Sequence, residues 1–136
     1  MHIDPTRDQF NAFKSMDRDL PVNMLNLVHL RETAMYQDNR PATGAEAYAA
    51  YGRESAPIFQ KVGGTILWRG KPNPALIGPT EEVWDIAFIA RYPTLGAFLA
   101  MVTDPTYQSV VFHRQAAVAD SRLIPIHDAA GGDSFG

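Results

Sequence analysis

The side chains most able to do chemistry lie near the end of the chain, where His113 and Arg114 are adjacent and Asp120 and Arg122 follow shortly after. A histidine beside a carboxylate suits general-base catalysis, because its ordinary pKa of about 6.5 allows proton transfer near neutral pH. An arginine suits bidentate binding of a substrate carboxylate or enolate. We therefore predict His113 and Arg114 as catalytic residues and Asp120 and Arg122 as ligand-binding residues. A structural interpretation stays open, in which Arg114 pairs with Asp120 at the helix end and His113 lies at the solvent edge.

A second set of candidates consists of one amide and several aromatic side chains that could line a cavity. Asn26 is predicted on a buried strand face, where its amide needs a partner, either a ligand carbonyl or a loop or helix of the protein itself. The hydroxyls of Tyr48, Tyr51 and Tyr107 could reach the same cavity, although tyrosines at helical spacing more often pack in a core. Trp68 either lines the cavity or fills a subunit interface, where aromatic residues are enriched.

Several reaction and partner classes lack their sequence signatures. The chain has no cysteine, which removes disulfides, thiol catalysis and thiolate metal sites. Its four histidines form no i, i+4 pair, and neither a serine-hydrolase elbow nor a phosphate-binding loop occurs, so we predict no metal and no cofactor. Haem ligation through His113 is the one cofactor alternative. With a net charge of −3, no basic stripe and no long apolar run, the sequence predicts a cytoplasmic protein without a nucleic-acid or membrane partner.

The elements that must position these residues follow from hydrophobic periodicity and from proline and glycine. Strand 22–30 has apolar residues on both faces, which is typical of a central strand covered on both sides. The first half of the predicted order is helix 5–16, strand 22–30, a polar irregular segment 31–43, and helix 44–61, which Pro57 either kinks or deprives of one hydrogen bond. The second half is strand 65–70, a long connection 71–82, strand 83–92, a short helix capped by Thr94, a helix over 106–119 begun by Asp104 and Pro105, and strand 121–127.

This order predicts an α+β protein with a ferredoxin-like βαββαβ sandwich and an extra N-terminal helix over residues 5–17. Residues 1–128 are expected to form one domain, and residues 129–136 a flexible tail. Pro125 predicts that the last strand lies at a sheet edge, since proline cannot donate to a ladder. The face without helices would expose a large apolar patch, so we expect a second copy of the chain to cover it.

Four stretches of the chain carry a family resemblance: VNMLNLVHLRE, FQKVGGTILWRG, WDIAFIARYPTLGAFLAMVTDPTYQ and HRQAAVADSRLIP. Together they resemble the domain of unknown function 1330 family (DUF1330), over residues 5–126, in its longer branch with an extra N-terminal helix. That family is similar to the dimeric α/β-barrel superfamily, in which two ferredoxin-like sheets close into a barrel. Because the superfamily includes cofactor-free monooxygenases, isomerase-like enzymes and haem enzymes, the resemblance implies a fold and a dimer but no single reaction.

The leading hypothesis is a small-molecule-binding homodimer. Its catalytic form is a cofactor-independent enzyme, of monooxygenase or isomerase type, that acts on a small carbonyl or aromatic compound. The alternative is a non-catalytic interaction or structural module whose interior is packed core. A cavity of about 300 Å³ or more with convergent polar groups favours the first hypothesis, and a filled interior favours the second.

Overall fold

The computed structural model describes residues 1–136 and contains five helices and four strands. In chain order they are α1 (Arg7–Lys14), β1 (Val22–Leu30), α2 (Gly44–Lys61), β2 (Thr65–Gly70), β3 (Ile86–Tyr92), α3 (Leu95–Thr103), α4 (Pro105–Gln108), α5 (Val111–Ala117) and β4 (Val118–Ile126). Residues 127–136 form no helix or strand and are exposed. No helix is both long and apolar enough to cross a membrane.

The four strands form one antiparallel sheet in the order β2-β3-β1-β4, and the fold is ferredoxin-like. Two predictions are confirmed here: β1 is central, and β4 with Pro125 lies at an edge. Pro125 pairs with Met24 of β1 and has no strand on its other side, so its missing N–H breaks no second ladder.

Local capping sets where the helices begin. The hydroxyl of Thr43 accepts a hydrogen bond from the N–H of Glu46, and the carboxylate of Glu46 accepts one from the N–H of Thr43 at 2.8 Å, so α2 begins with a capping box. Thr94 caps α3 and Asp104 caps α4, as predicted. Pro57 lies within α2, which runs unbroken from Gly44 to Lys61.

Some predicted boundaries are wrong because tertiary pairing overrides local periodicity. The predicted single helix over 106–119 is two helices, with Ser109 and Val110 between them. The N–H of Val110 bonds the carbonyl of Tyr107 in a tight i−3 turn, and this turn redirects the chain. The last strand starts at Val118 rather than at residue 121, because Val118 already pairs with Leu30 of β1. Strand β3 starts at residue 86 rather than 83, and α1 covers residues 7–14 rather than 5–16.

The core on the helix side of the sheet is divided into two clusters. The first contains Met24 of β1 together with the buried side chains of α3 and the end of α2. The second contains Val28 of β1 together with the start of α2, the end of α5 and Tyr36 of the connecting segment. Asn26 lies between Met24 and Val28 on the same face of β1, at the junction where neither cluster fills the space.

Candidate functional site

A cavity of about 1900 Å³, open to solvent, lies between the sheet and the helices that cover it. More than half of its lining residues are hydrophobic. All five helices contribute lining residues, and the N-terminal segment borders the edge formed by β4. Its size exceeds the roughly 300–1,000 Å³ of an ordinary ligand pocket.

The floor of the cavity is one row of residues that crosses all four strands. Antiparallel register places Arg69 of β2 opposite Phe88 of β3, Phe88 opposite Asn26 of β1, and Asn26 opposite Leu123 of β4. Residues that are directly opposite share one face of the sheet, and this row faces the helices. The sheet therefore places one amide and one guanidinium in an otherwise apolar floor.

The roof of the cavity is a stripe along α2. Tyr48, Gly52, Ser55 and Phe59 recur at intervals of three or four residues, so they share the face of the helix that looks towards the sheet. Gly52 has no side chain there, and a Cβ atom at this position would meet no atom within 4 Å. Part of the open volume is therefore the space that a larger residue at position 52 would occupy.

Asn26 is only partly satisfied by the protein. Its Nδ2 donates to the carbonyl of Met24 at 3.0 Å, while its Oδ1 accepts no hydrogen bond from the chain. Because Asn26 lines the cavity, the free Oδ1 is available to a ligand donor.

The three predicted tyrosines also line the cavity. The hydroxyls of Tyr51 and Tyr107 lie 2.8 Å apart and satisfy each other, whereas the hydroxyl of Tyr48 has no protein partner. Burial raises the pKa of Tyr48 above its usual range, and burial also raises the pKa values of Tyr51 and Tyr107. All three therefore act as neutral phenols at physiological pH, and Tyr48 has a free hydrogen-bond donor.

Arg114 lines the cavity but does not pair with Asp120, so the structural interpretation made from sequence is wrong in this detail. Its Nη1 donates to the carbonyl of Ile3 at 2.5 Å and its Nη2 donates to Ser121 Oγ at 3.2 Å. Ser121 Oγ in turn donates to the carbonyl of His2 at 2.7 Å. Arg114 thus joins α5, β4 and the N-terminal segment.

Asp120 and Arg122 bind each other beside the cavity. Arg122 Nη1 lies 2.9 Å from Asp120 Oδ1, and its Nη2 lies 3.0 Å from a carboxylate oxygen of Glu82. Burial acts to raise the pKa of Asp120, but hydrogen bonds from the His2 N–H and from Arg122 outweigh it and hold that pKa below its usual range. Arg122 borders the cavity and Asp120 does not, and the guanidinium of Arg122 is already neutralised by two carboxylates.

His113 lies outside the cavity and is only 5% exposed, so the expectation that it lies at the solvent edge is wrong. Its Nδ1 is 2.6 Å from the hydroxyl of Tyr36, and its Nε2 is 2.9 Å from a carboxylate oxygen of Glu54. Sequence reasoning missed Tyr36 and Glu54, because Tyr36 lies in an irregular segment 77 residues away from the histidine. Both ring nitrogens of His113 are engaged within the protein.

Trp68 lies on the opposite face of the sheet and is 54% exposed. Register places it opposite Ile89, which is opposite Leu25, which is opposite Ile124. These four side chains form an apolar row on the face without helices, and Ile124, on edge strand β4, also borders the cavity. The structure brings together Asn26, Tyr48, Tyr51, Tyr107, Arg114 and the edge of Arg122, and leaves out His113, Asp120 and Trp68.

Most of the chain matches a known protein family. Residues 39–126 match the family model described as Domain of unknown function (DUF1330). The chain belongs to the DUF1330 family. The matched range includes the helices that form the cavity roof and strands β2 to β4, while β1 and the N-terminal segment lie before it. No curated protein matches the chain.

Solved structures similar to this DUF1330 protein agree on the fold. A crystal structure of methylated RPA0582 is 52% identical, with a TM-score of 0.93 over 97% of this chain and 98% of that chain. A second structure of RPA0582, from Rhodopseudomonas palustris and of unknown function, is also 52% identical, covers 96% and 98% of the two chains, and has a TM-score of 0.91.

More distant structures share the ferredoxin-like fold alone. A dimeric protein of unknown function from Bacteroides fragilis is 14% identical, with a TM-score of 0.51 over 79% of this chain and 96% of that chain. SnoaB from Streptomyces nogalater, described as a cofactor-independent oxygenase, is 16% identical, with a TM-score of 0.50 over 82% of this chain and 95% of that chain.

Proposed function

We propose that the protein is a homodimer that binds a small hydrophobic molecule in the cavity between its sheet and its helices. The observation that carries this proposal is the open volume of about 1900 Å³ around the free Oδ1 of Asn26 and the free hydroxyl of Tyr48. Two unpaired polar groups in an apolar lining provide orientation and specificity for a ligand. A non-catalytic module would have packed core at this position, so the open interior favours ligand binding over the alternative.

If the protein is an enzyme, fewer side chains are available for catalysis than the sequence suggested. His113 has both ring nitrogens engaged outside the cavity, which argues against its roles as general base and as haem ligand. The neutral phenol of Tyr48 and the guanidinium of Arg114 remain in the cavity, and these groups stabilise an enolate or a polarised carbonyl. A cofactor-independent reaction on a carbonyl or aromatic compound, as in the oxygenase that shares the fold, is the activity that such groups support.

The dimer part of the proposal rests on the face of the sheet without helices. An apolar row crosses all four strands there, formed by Trp68, Ile89, Leu25 and Ile124. Trp68 and Ile124 are about half exposed in the single chain. A partner sheet placed on this row removes an apolar patch that isolated proteins seldom expose. One structural neighbour is described as dimeric. The cytoplasmic location, and the division into a 1–128 domain and a 129–136 tail, stay predictions.

The test is a titration with N-phenylnaphthylamine, a neutral apolar probe whose fluorescence rises when it leaves water, together with native mass spectrometry of the purified protein. We expect a dimer that takes up one probe molecule per subunit. The variant Gly52→Leu fills open space beneath α2, so it should weaken probe binding while keeping the dimer mass. A monomer, or probe binding that Gly52→Leu leaves unchanged, would contradict the proposal.

A further inference from the structure

The charge of the cavity has the opposite sign to that of the whole chain. The protein has a net charge of −3, with 15 acidic and 12 basic residues. The charged residues that line the cavity are nevertheless Arg53, Arg69, Arg114, Arg122 and a single carboxylate, Asp4. Arg122 is neutralised by Glu82 and Asp120, but three other arginines remain against one acidic residue.

Two of these arginines line the cavity near opposite edges of the sheet, and Tyr48 lines the same cavity. Arg69 lies on edge strand β2 and makes no hydrogen bond or ion pair through its side chain. Arg114 is held over edge strand β4 by Ser121 and Ile3, and both of its protein acceptors are uncharged. The charges of Arg114 and Arg69 both act on the Tyr48 hydroxyl, where they oppose the rise in pKa that burial causes.

Neither guanidinium forms an ion pair with a carboxylate of the protein, and the hydroxyl of Tyr48, in the same cavity lining, donates its proton to no protein group. An oxyanion placed beside Tyr48 would accept that proton in a hydrogen bond and would compensate the charges of both arginines. The rest of such a ligand would lie against the apolar lining formed by Met24, Phe59 and Phe88.

We propose that the ligand of this cavity is a hydrophobic organic anion, whose one oxyanion group lies between Arg69 and Arg114 at Tyr48. The inference rests on the proposed function and adds the chemical class of the ligand. A neutral apolar ligand would make the same contacts with the apolar lining of the cavity. It would, however, leave the guanidiniums of Arg69 and Arg114 without a negative charge beside them. The cavity should therefore discriminate between an anion and its neutral counterpart of the same shape.

The experiment compares two fluorescent probes that share one ring system, anilinonaphthalene sulfonate with its anionic oxygens and N-phenylnaphthylamine without them. We expect the wild-type protein to bind the sulfonate about tenfold more tightly or better, as one charge-assisted contact allows. Arg69→Gln should remove most of this preference, because it removes the charge of a guanidinium that lines the cavity and forms no ion pair with the protein. Arg7→Gln, an arginine of α1 outside the cavity lining, is the matched control and should change neither affinity.

The outcomes separate this inference from the proposed function. Equal binding of the two probes by the wild-type protein overturns the anion inference and leaves the binding function supported. Equal weakening of the sulfonate by Arg69→Gln and Arg7→Gln also overturns it, because the preference would then arise from the overall surface charge. If neither probe binds, both the inference and the proposed function fail.

Discussion

At the scale of single residues, the site depends on which polar groups the protein leaves without partners. Asn26 and Tyr48 each have one free hydrogen-bonding group in the cavity, whereas His113 is fully engaged by Tyr36 and Glu54. Histidine is the residue type that most often acts as a catalytic acid or base, but His113 instead joins helix α5 to the segment before α2. Chemical type alone did not distinguish these two roles.

This difference predicts effects of unequal size on stability for two tyrosine-to-phenylalanine substitutions. Tyr36→Phe leaves the buried Nδ1 of His113 without a partner, so we expect the free energy of unfolding to fall by about 1–3 kcal/mol. Tyr48→Phe removes a hydroxyl with no protein partner and should change stability by less than about 0.5 kcal/mol. Urea denaturation of both variants measures the difference, and similar losses in the two would contradict the assignment of Tyr36 and His113 to structure.

At the scale of elements, helix α2 serves both the fold and the cavity, and its two glycines serve different purposes. Gly44 begins the helix where a Cβ atom would overlap the backbone of Arg31. Gly52 lies two turns later, on the stripe that faces the cavity, where a Cβ atom would meet only open space. The first glycine allows close backbone packing, and the second keeps volume open for a ligand.

Alanine substitutions at these two positions should therefore shift stability in opposite directions. Gly52→Ala should raise the free energy of unfolding by up to about 1 kcal/mol, since alanine favours the helical state and meets no obstacle. Gly44→Ala should lower it by about 1–3 kcal/mol, because the backbone of Arg31 must shift to admit the methyl group. Thermal unfolding of both variants under one set of conditions is the measurement. A gain in stability for Gly44→Ala would show that the α2 start is not tightly packed.

At the scale of the whole molecule, the sheet has two different apolar faces. The helix-side row, with Arg69, Phe88 and Asn26, forms the floor of an open cavity, and the row on the other face, with Trp68 and Ile89, has no helix over it. The proposed dimer would bury the second row and leave the first row free to bind a ligand. Assembly and binding would then use opposite sides of the same strands.

The proposed dimer predicts that a charge in the uncovered row prevents assembly. Trp68→Asp places a carboxylate in an apolar interface without a partner, so the variant should sediment as a monomer. Leu76→Asp is the control, since Leu76 is 97% exposed in the connection between β2 and β3 and does not belong to the row. Circular dichroism checks that both variants are folded. A folded Trp68→Asp variant that stays dimeric would place the interface elsewhere.

The accuracy with which the sequence predicted the structure differs from one part of the chain to another. Strand β1 was predicted with its full range and its central position, because apolar residues on both faces are a property of nine consecutive residues. The predicted helix over 106–119 was wrong: it breaks at Val110 in a tight turn bonded to Tyr107, and it ends early because Val118 already pairs with Leu30, far away in the chain. Asn26, the three tyrosines and Arg114 were predicted as cavity residues and do line the cavity; what they do there stays a prediction.

By itself, the sequence determined the order of the elements, the caps that begin α3 and α4, and the edge position of the strand with Pro125. Each of these is set by residues within a few positions of one another, through periodicity, capping and the chemistry of proline. Only the tertiary structure decided that His113 meets Tyr36 and Glu54, and that the two clusters of the core leave a cavity at Asn26. The physical reason is that a side chain's partners, and the space around it, are set by segments that pack together in three dimensions and lie far apart along the chain.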